Sequence, residues 1–398
     1  MTTAGLRRSV DELMAEARGL AGVDMVDDEV VEPLTVLHRA LGKERAELDA
    51  EGARAFERKI VRLLAHRLRM KRDTSRHPEI AEQEIRGPVI VMGTARSGTT
   101  KLQKALAASG DFNFLTFWQA FSWASVSGEP NESTEARIAE AEEFCRWFDE
   151  RSPDAKLGHS FEAHEAEEEG VLTEASFVTT TFVGFAEIPG YGMWLGQQSP
   201  TVELEFLRDA LRYLQWQGLA SADRPWLLKS PSYSSLEREI LQVFPDARFV
   251  MAHRSPLQTL PSMCTLVACL RRAYGTSRPD PNVLFEHAAS SMDAQLALRR
   301  TDPDLPLLDV RFEDVVGDLP RVVAQVYAHA GLALADGLRA EMLRWDAENV
   351  MHKRGAFTYS LDDVGLDEHD IRTRMSDYFA FLDLLADRSR GTGADERT

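Results

Sequence analysis

The chain is poor in cysteine: Cys145, Cys264 and Cys269 are the only three in 398 residues, and no pair has a CxxC spacing. An odd count without metal-ligand spacing excludes a disulfide scaffold and a zinc ribbon, and points to a reducing compartment. Long hydrophobic runs are missing too. The opening MTTAGLRRSVDELMAEARGL has no apolar stretch long enough for a signal-peptide core, and no later run approaches a membrane span. The expected address is the cytoplasm. Positive charge is in deficit, with 46 Lys and Arg against 64 Asp and Glu and a formal net charge of −18. Such a field disfavours nucleic acid or an anionic membrane as the general partner. An anionic ligand would therefore need a local cationic pocket within an acidic body.

At 44% hydrophobic and 28% charged residues, the composition is that of a globular protein able to bury a large core. No internal repeat or low-complexity segment is present. Residues 1 to 85 read as a helical N-terminal extension, with apolar positions at helical spacing in Leu34, Leu37, Leu41 and in Ile60, Leu63, Leu64, Leu68. This segment closes on HRLRMKRDTSRH (66–77), which reads as a solvated helix face or, alternatively, as a surface for an anionic partner. From 86 to 398 the pattern changes. Short apolar runs, GPVIVMG (87–93), PWLLKS (225–230), ARFVMAHR (247–254) and PLLDVRF (306–312), alternate with helical patterns such as EREILQVFP (237–245). This alternation predicts an α/β fold with a parallel sheet flanked by helices, and a helical C-terminal segment. The last residues, RSRGTGADERT, read as irregular. Such sheets bind ligands outside the carboxyl ends of their strands. The chemistry-bearing motifs all fall at such ends.

GTARSGTT (93–100) follows the first buried strand and opens a helix. Gly93 and Gly98 allow the backbone to turn N–H groups inward, and Thr99 and Thr100 add hydroxyls at a helix N-terminus, a setting that favours anions. The spacing matches the start of a P-loop, GxxxxGK[ST], but Thr99 stands where the lysine belongs. That lysine reaches the β- and γ-phosphates, so its loss argues against an ordinary ATPase or kinase. The loop suits a nucleotide with a single phosphate at the 5′ position.

The Arg-Ser-Gly-Thr-Thr loop between strand and helix resembles that of the sulfotransferases that use 3′-phosphoadenosine 5′-phosphosulfate (PAPS), particularly their bacterial branch abundant in actinobacteria and mycobacteria. The resemblance implies a P-loop-type fold, with Arg96 beside the oxygen bridging phosphorus and sulfur. Ser97, Gly98, Thr99 and Thr100 would hold the 5′-phosphate. Further along, Arg254 ends the ARFVMAHR strand and Ser262 follows eight residues later, the spacing with which the family holds the 3′-phosphate. Pro261, just before Ser262, departs from a regular helix. Phe312 matches an aromatic that contacts the adenine, with a plain core role as the alternative. Lys353, Arg354 and Gly355 match a C-terminal segment that closes as a lid over the 3′-phosphate.

Sulfuryl transfer needs charge neutralised on the bridging oxygen, two oxygens aligned in line, and a base for the acceptor proton. The resemblance assigns the first task to Arg96 and Lys229, without a metal. Animal relatives carry a histidine base two residues after the lysine, but that position is Pro231 here. His159 is the candidate base by resemblance to the bacterial branch, with Glu162 and His164 as alternatives. Glu167, Glu168 and Glu169 read as a helix start or solvated face. His253 alternates away from Arg254 along the strand and is discounted. The aromatic-rich stretch between 112 and 200 is expected to supply core and acceptor pocket, and the acceptor could be a small molecule, a glycan or a lipid. A homodimer is admissible. Two other functions stay open: an atypical metabolite kinase, and an inactive protein that binds the desulfated product PAP.

Overall fold

The computed structural model describes residues 5–44, 46–157, 160–349 and 360–395. The chain divides into two compact units that interleave in sequence. One gathers Met1–Arg86, Asn113–Pro225 and Val267–Pro279, the other Gly87–Phe112, Trp226–Leu266 and Asp280–Thr398.

The second unit is built on strands β1 (Val89–Gly93), β2 (Trp226–Lys229), β3 (Arg248–His253) and β4 (Leu307–Arg311). They lie parallel, with β1 between β2 and β3, and β4 beyond β3. All five residues of β1 and all four of β2 are buried, as expected for strands covered on both faces. Register aligns Val91 with Lys229, Gly93 with Ala252, and His253 with Arg311. The order makes the gap between β1 and β3 the topological switch point, where connections leave to opposite faces and a crevice opens. Gly93 (φ +142°) allows this junction to close. A Cβ there would lie 2.3 Å from the carbonyl oxygen of Ala252. The chain stays helical through Ser376–Asp395, so helix propagation prevails where sequence composition predicted an irregular end.

Behind the end of β3, His253 is buried with Asp309 of β4. His253 Nε2 lies 2.8 Å from Asp309 Oδ1, and Nδ1 lies 3.0 Å from the Tyr378 hydroxyl. A carboxylate only accepts, so Nε2 carries the proton and Nδ1 accepts from Tyr378. Burial pushes the imidazole pKa down, outweighing Asp309, and the ring is neutral. Arg299 donates to both oxygens of Asp309, at 2.8 and 2.6 Å. His253 thus faces away from the strand-end crevice, as strand alternation requires.

The first unit is helical, organised around Ala50–Arg76 with Val10–Ala21, Val31–Lys43, Glu135–Arg151 and Thr201–Trp216 as its other long helices. Expectation and structure part here. His66, Arg67, Arg72 and Asp73 of the basic stretch are buried, so much of it faces the interior, while Thr74, Ser75 and Arg76 at its end are exposed. Arg67 pairs with Asp27 at 2.7 Å and Arg72 with Asp73 at 2.6 Å. Charge alone read this helix as wet because partners distant in sequence were invisible. Glu167 and Glu169 are buried as well. No helix among the described residues is long and apolar enough to cross a membrane.

Burial by itself raises the Asp309 carboxyl, but hydrogen bonds from His253 and Arg299, with the Arg299 charge, hold it down to about 2. A depressed folded-state pKa contributes stability that is present above the unfolded value of about 4 and lost as pH falls toward 2. Asp309→Asn is expected to cost about 3 kcal/mol in urea unfolding at pH 7, because Arg299 is left buried without its charge partner. The deficit relative to wild type should shrink between pH 4 and pH 2. A pH-independent deficit would assign the loss to packing instead.

Candidate active site

Four strand ends and two helices assemble the site within the second unit. The loop after β1 enters the helix Thr99–Ala108 through Gly98, which is left-handed at φ +94°. Gly98 is also tight against Phe312: a Cβ there would meet the ring at 3.0 Å. Arg96 adopts φ +73°, a region a long side chain rarely occupies. Such strain persists only where the surroundings fix it, and here they do. The Arg96 carbonyl accepts from Arg254 Nη1 at 3.0 Å, and Arg96 Nε donates to Ser262 Oγ at 2.9 Å.

Arg254 is held on three sides. Its Nε donates to Gln258 Oε1 at 2.9 Å, one turn along the helix that begins at Pro256. Its guanidinium stacks over the Phe312 ring at 3.8 Å. Phe312 itself is half-buried at the start of the short helix after β4. The helix Pro256–Ala273 runs on through Pro261, whose missing N–H falls early in it. Ser262 consequently sits in a formed turn and is buried.

From β2, Lys229 is buried and its Nζ donates to Thr100 Oγ1 at 3.4 Å. Arg96, Ser262, Arg254 and Phe312 form one contact network, and Lys229 with Thr100 joins the same loop from its other side. Sequence reasoning missed three supporting residues. Gln258 orients Arg254, and its signal was the four-residue spacing. Lys101 in the loop helix pairs at 2.5 Å with Asp346 of the helix Leu338–Glu348. Thr94 had no signal beyond its place in the loop.

Whether this cradle suits a phosphate can be tested on its own atoms. Ser97 is fully buried, and both Ser97 Oγ and Thr94 Oγ1 lack a hydrogen-bond partner among the described residues. Two sequestered hydroxyls beside a helix N-terminus, whose first-turn N–H groups have no intrahelical acceptor, fit a bound oxyanion.

His159 and the Lys353, Arg354 and Gly355 segment lie outside the described residues. The alternatives to His159 lie in the first unit. The His164 side chain is 67% exposed and 3.9 Å from Glu142, while Glu162 accepts from Ser160 Oγ at 3.1 Å. The aromatics of 112–200 are mostly core: Phe117, Trp123, Phe177, Phe182 and Tyr191 are buried.

Comparison with known proteins agrees with this geometry. Two curated relatives, the omega-hydroxy-beta-dihydromenaquinone-9 sulfotransferases Stf3 of Mycobacterium bovis and Mycobacterium tuberculosis, are each 26% identical over 190 residues. The match covers 46% of this chain, and the chain spans about half, 48%, of their length. Among solved structures, sulfotransferase STF1 of Mycobacterium tuberculosis H37Rv superposes with a TM-score of 0.73 at 26% identity, covering 92% of this chain and 98% of the other. Sulfotransferase STF9 of Mycobacterium avium shares the fold at a TM-score of 0.79 and 22% identity, over 94% of this chain and 96% of the other. The sulfotransferase family model matches residues 88–336, more than half of the chain and all of the contact network just described, and the protein belongs to the sulfotransferase family.

Proposed function

We propose that this protein transfers the sulfuryl group of PAPS to an acceptor hydroxyl by metal-independent, in-line displacement. The observation that carries the reading is the knot of Arg254, Arg96 and Ser262 at the β1–β3 switch point. It joins two motifs 158 residues apart that the resemblance assigns to the two phosphate ends of one donor. Arg254 would grip the 3′-phosphate with the guanidinium edge that Gln258 and Phe312 leave oriented, and Ser262 would add a hydroxyl. Ser97, Gly98, Thr99 and Thr100 would hold the 5′-phosphate, using the unpartnered Ser97 hydroxyl. Phe312 would offer its ring to the adenine. Lys353, Arg354 and Gly355 would close over the 3′-phosphate.

In the reaction the sulfur–oxygen bond to the 5′-phosphate breaks while a new bond forms to the acceptor oxygen. The acceptor proton passes to a base, for which we propose His159, and PAP leaves. Arg96 and Lys229 would stabilise the negative charge that grows on the bridging oxygen. Arg96 currently spends its Nε on Ser262, so donor binding would exchange that bond for one to the donor. The acceptor we favour is a hydroxyl on an apolar lipid-like molecule, supported by the menaquinone-type substrate in the names of the Stf3 relatives.

Calorimetric titration separates this reading from a kinase. PAP is expected to bind, magnesium-ATP to give no heat, and Arg254→Ala to weaken PAP by roughly 10- to 100-fold, the worth of a charge-assisted hydrogen bond. Binding of magnesium-ATP with no response to PAP would overturn it. Lys229→Met should lower kcat by roughly 100-fold or more while changing PAP affinity little, since its charge is needed only as the bridging oxygen develops. Equal losses in PAP affinity and kcat would make it a binding residue. For His159→Ala, turnover is expected to fall by about 100- to 10,000-fold with PAP affinity intact. Retained turnover moves the base to another residue.

A further inference from the structure

The helical unit buries donors that its own acceptors do not satisfy. Arg62, His66 and Arg69 occupy one face of Ala50–Arg76 at four- and three-residue spacing. The His66 ring meets Trp123 edge-on, with centroids 5.6 Å apart. Arg137, from the helix Glu135–Arg151, donates through Nη1 to the Trp123 carbonyl at 3.2 Å and to Gln217 Oε1 at 2.9 Å. Three segments therefore meet around Trp123. Arg62 Nη2, His66 Nδ1, Arg69 Nε and Trp123 Nε1 are sequestered and have no hydrogen-bond partner among the described residues. Arg62, His66, Arg137 and Trp123 are each more than nine-tenths buried.

The acceptors around these donors make other bonds. Arg62 uses Nη1 on the Phe121 carbonyl and stacks at 3.6 Å over that ring. Arg69 uses Nη2 on the Leu20 carbonyl at 2.8 Å. Glu132 accepts from Ser125 and Ser127, and its Oε1 stays 3.7 Å from Arg137 Nε. Glu140 accepts from the Ser122 hydroxyl. Glu174, which also acts on Arg62, is bonded to Lys59, and Asp73 to Arg72. Burial pushes His66 well below the ordinary histidine range, helped by the charges of Arg62, Arg69 and Arg137, so it is neutral at pH 7. Glu174 is one of three carboxylates that act on these guanidinium groups, but it is neutralised by Lys59, so three guanidinium charges face the two remaining carboxylates, Glu132 and Glu140, and one positive charge is left. An uncompensated buried charge with unmet donors is costly, and a single bound anion removes both deficits.

We propose that the cluster of Arg62, His66, Arg69 and Trp123 is a buried site for one small monovalent anion, of which chloride is the natural occupant. Arg62 Nη2, Arg69 Nε, His66 Nδ1–H and Trp123 Nε1–H donate to it, and Arg137 supplies charge from beside it. The sequestration of these atoms favours a compact spherical ion over the head of an extended acceptor. The ion binds the folded unit and not the unfolded chain, so it stabilises by mass action.

The test uses the full-length protein exchanged into sodium gluconate, with chloride titrated in at constant ionic strength in an Arg254→Ala background, which removes the proposed phosphate grip. Tm should rise saturably, by about 3 °C or more at saturation. Trp123→Phe keeps an aromatic ring but deletes the indole N–H, and should shift the midpoint to several-fold higher chloride. Arg62→Met should abolish the saturable rise. If Arg62→Met does not fold, crystals grown in bromide decide the matter through an anomalous peak within hydrogen-bond distance of Trp123 Nε1 and His66 Nδ1. A Tm indifferent to chloride, an identical rise in Trp123→Phe, a response to sulfate alone, or no bromide at the cluster would each overturn the proposal.

Discussion

The hydrogen bond from Arg254 Nη1 to the carbonyl of Arg96 depends on how closely two parallel strands can end. Gly93 and Ala252 are in register, and no side chain fits between them at Gly93. With β1 and β3 that close, the loop leaving β1 falls directly under the arginine leaving β3. The left-handed turn at Arg96 then presents its carbonyl to one arginine and sends its own side chain to Ser262. Orientation of both cations is thus set by backbone geometry before any ligand arrives, the kind of preorganisation that makes fixed charges effective in a dry site. The His253–Asp309–Arg299 network locks β3 to β4 from the opposite face, so the strand that carries Arg254 is held on both sides.

Much of this architecture was legible in the sequence because it rests on local signals. Four short apolar runs bounded by Gly, Pro or charged residues became the four parallel strands, and the Arg-Ser-Gly-Thr-Thr loop became a left-handed turn into a helix. The proximity of Arg254 to Arg96 was legible only through the resemblance, since nothing local brings positions 96 and 254 together. Pro261 pointed the wrong way. A proline early in an 18-residue helix costs one donor and leaves the rest of the helix intact.

The basic stretch at 66–77 was misread for a reason that applies more widely. Hydropathy counts a charged residue as exposed unless its partner can be seen, and Asp27, forty residues from Arg67, is not visible as a partner in any local window. In the structure, many charges of this helix are interior and paired, with Glu57, Lys59, Arg67, Arg72 and Asp73 all buried along it. Pairing makes such burial tolerable, not free, and truncating one partner of such a pair is strongly destabilising. The helix is therefore a rigid, highly specified beam whose register is fixed by charge as much as by its apolar face. Arg62 and His66 break the pairing rule on that same beam, which is why they stand out.

The threonine at position 99 acquires its meaning from Lys229. In a nucleoside-triphosphate P-loop the lysine comes from the loop itself and reaches outward along the phosphate chain. Here the loop position is threonine, and a lysine arrives instead from the end of the neighbouring strand β2, with its Nζ 3.4 Å from Thr100 Oγ1. On the proposed reading, a cation delivered from the flank would address the first phosphate and whatever is joined to it, not a third phosphate further along. With Arg96 entering from the β3 side, two cations bracket the place where a single 5′-phosphate would end. That arrangement suits the leaving group of the proposed donor, whose charge would develop at the first bridging oxygen with no second and third phosphate for a metal to bridge.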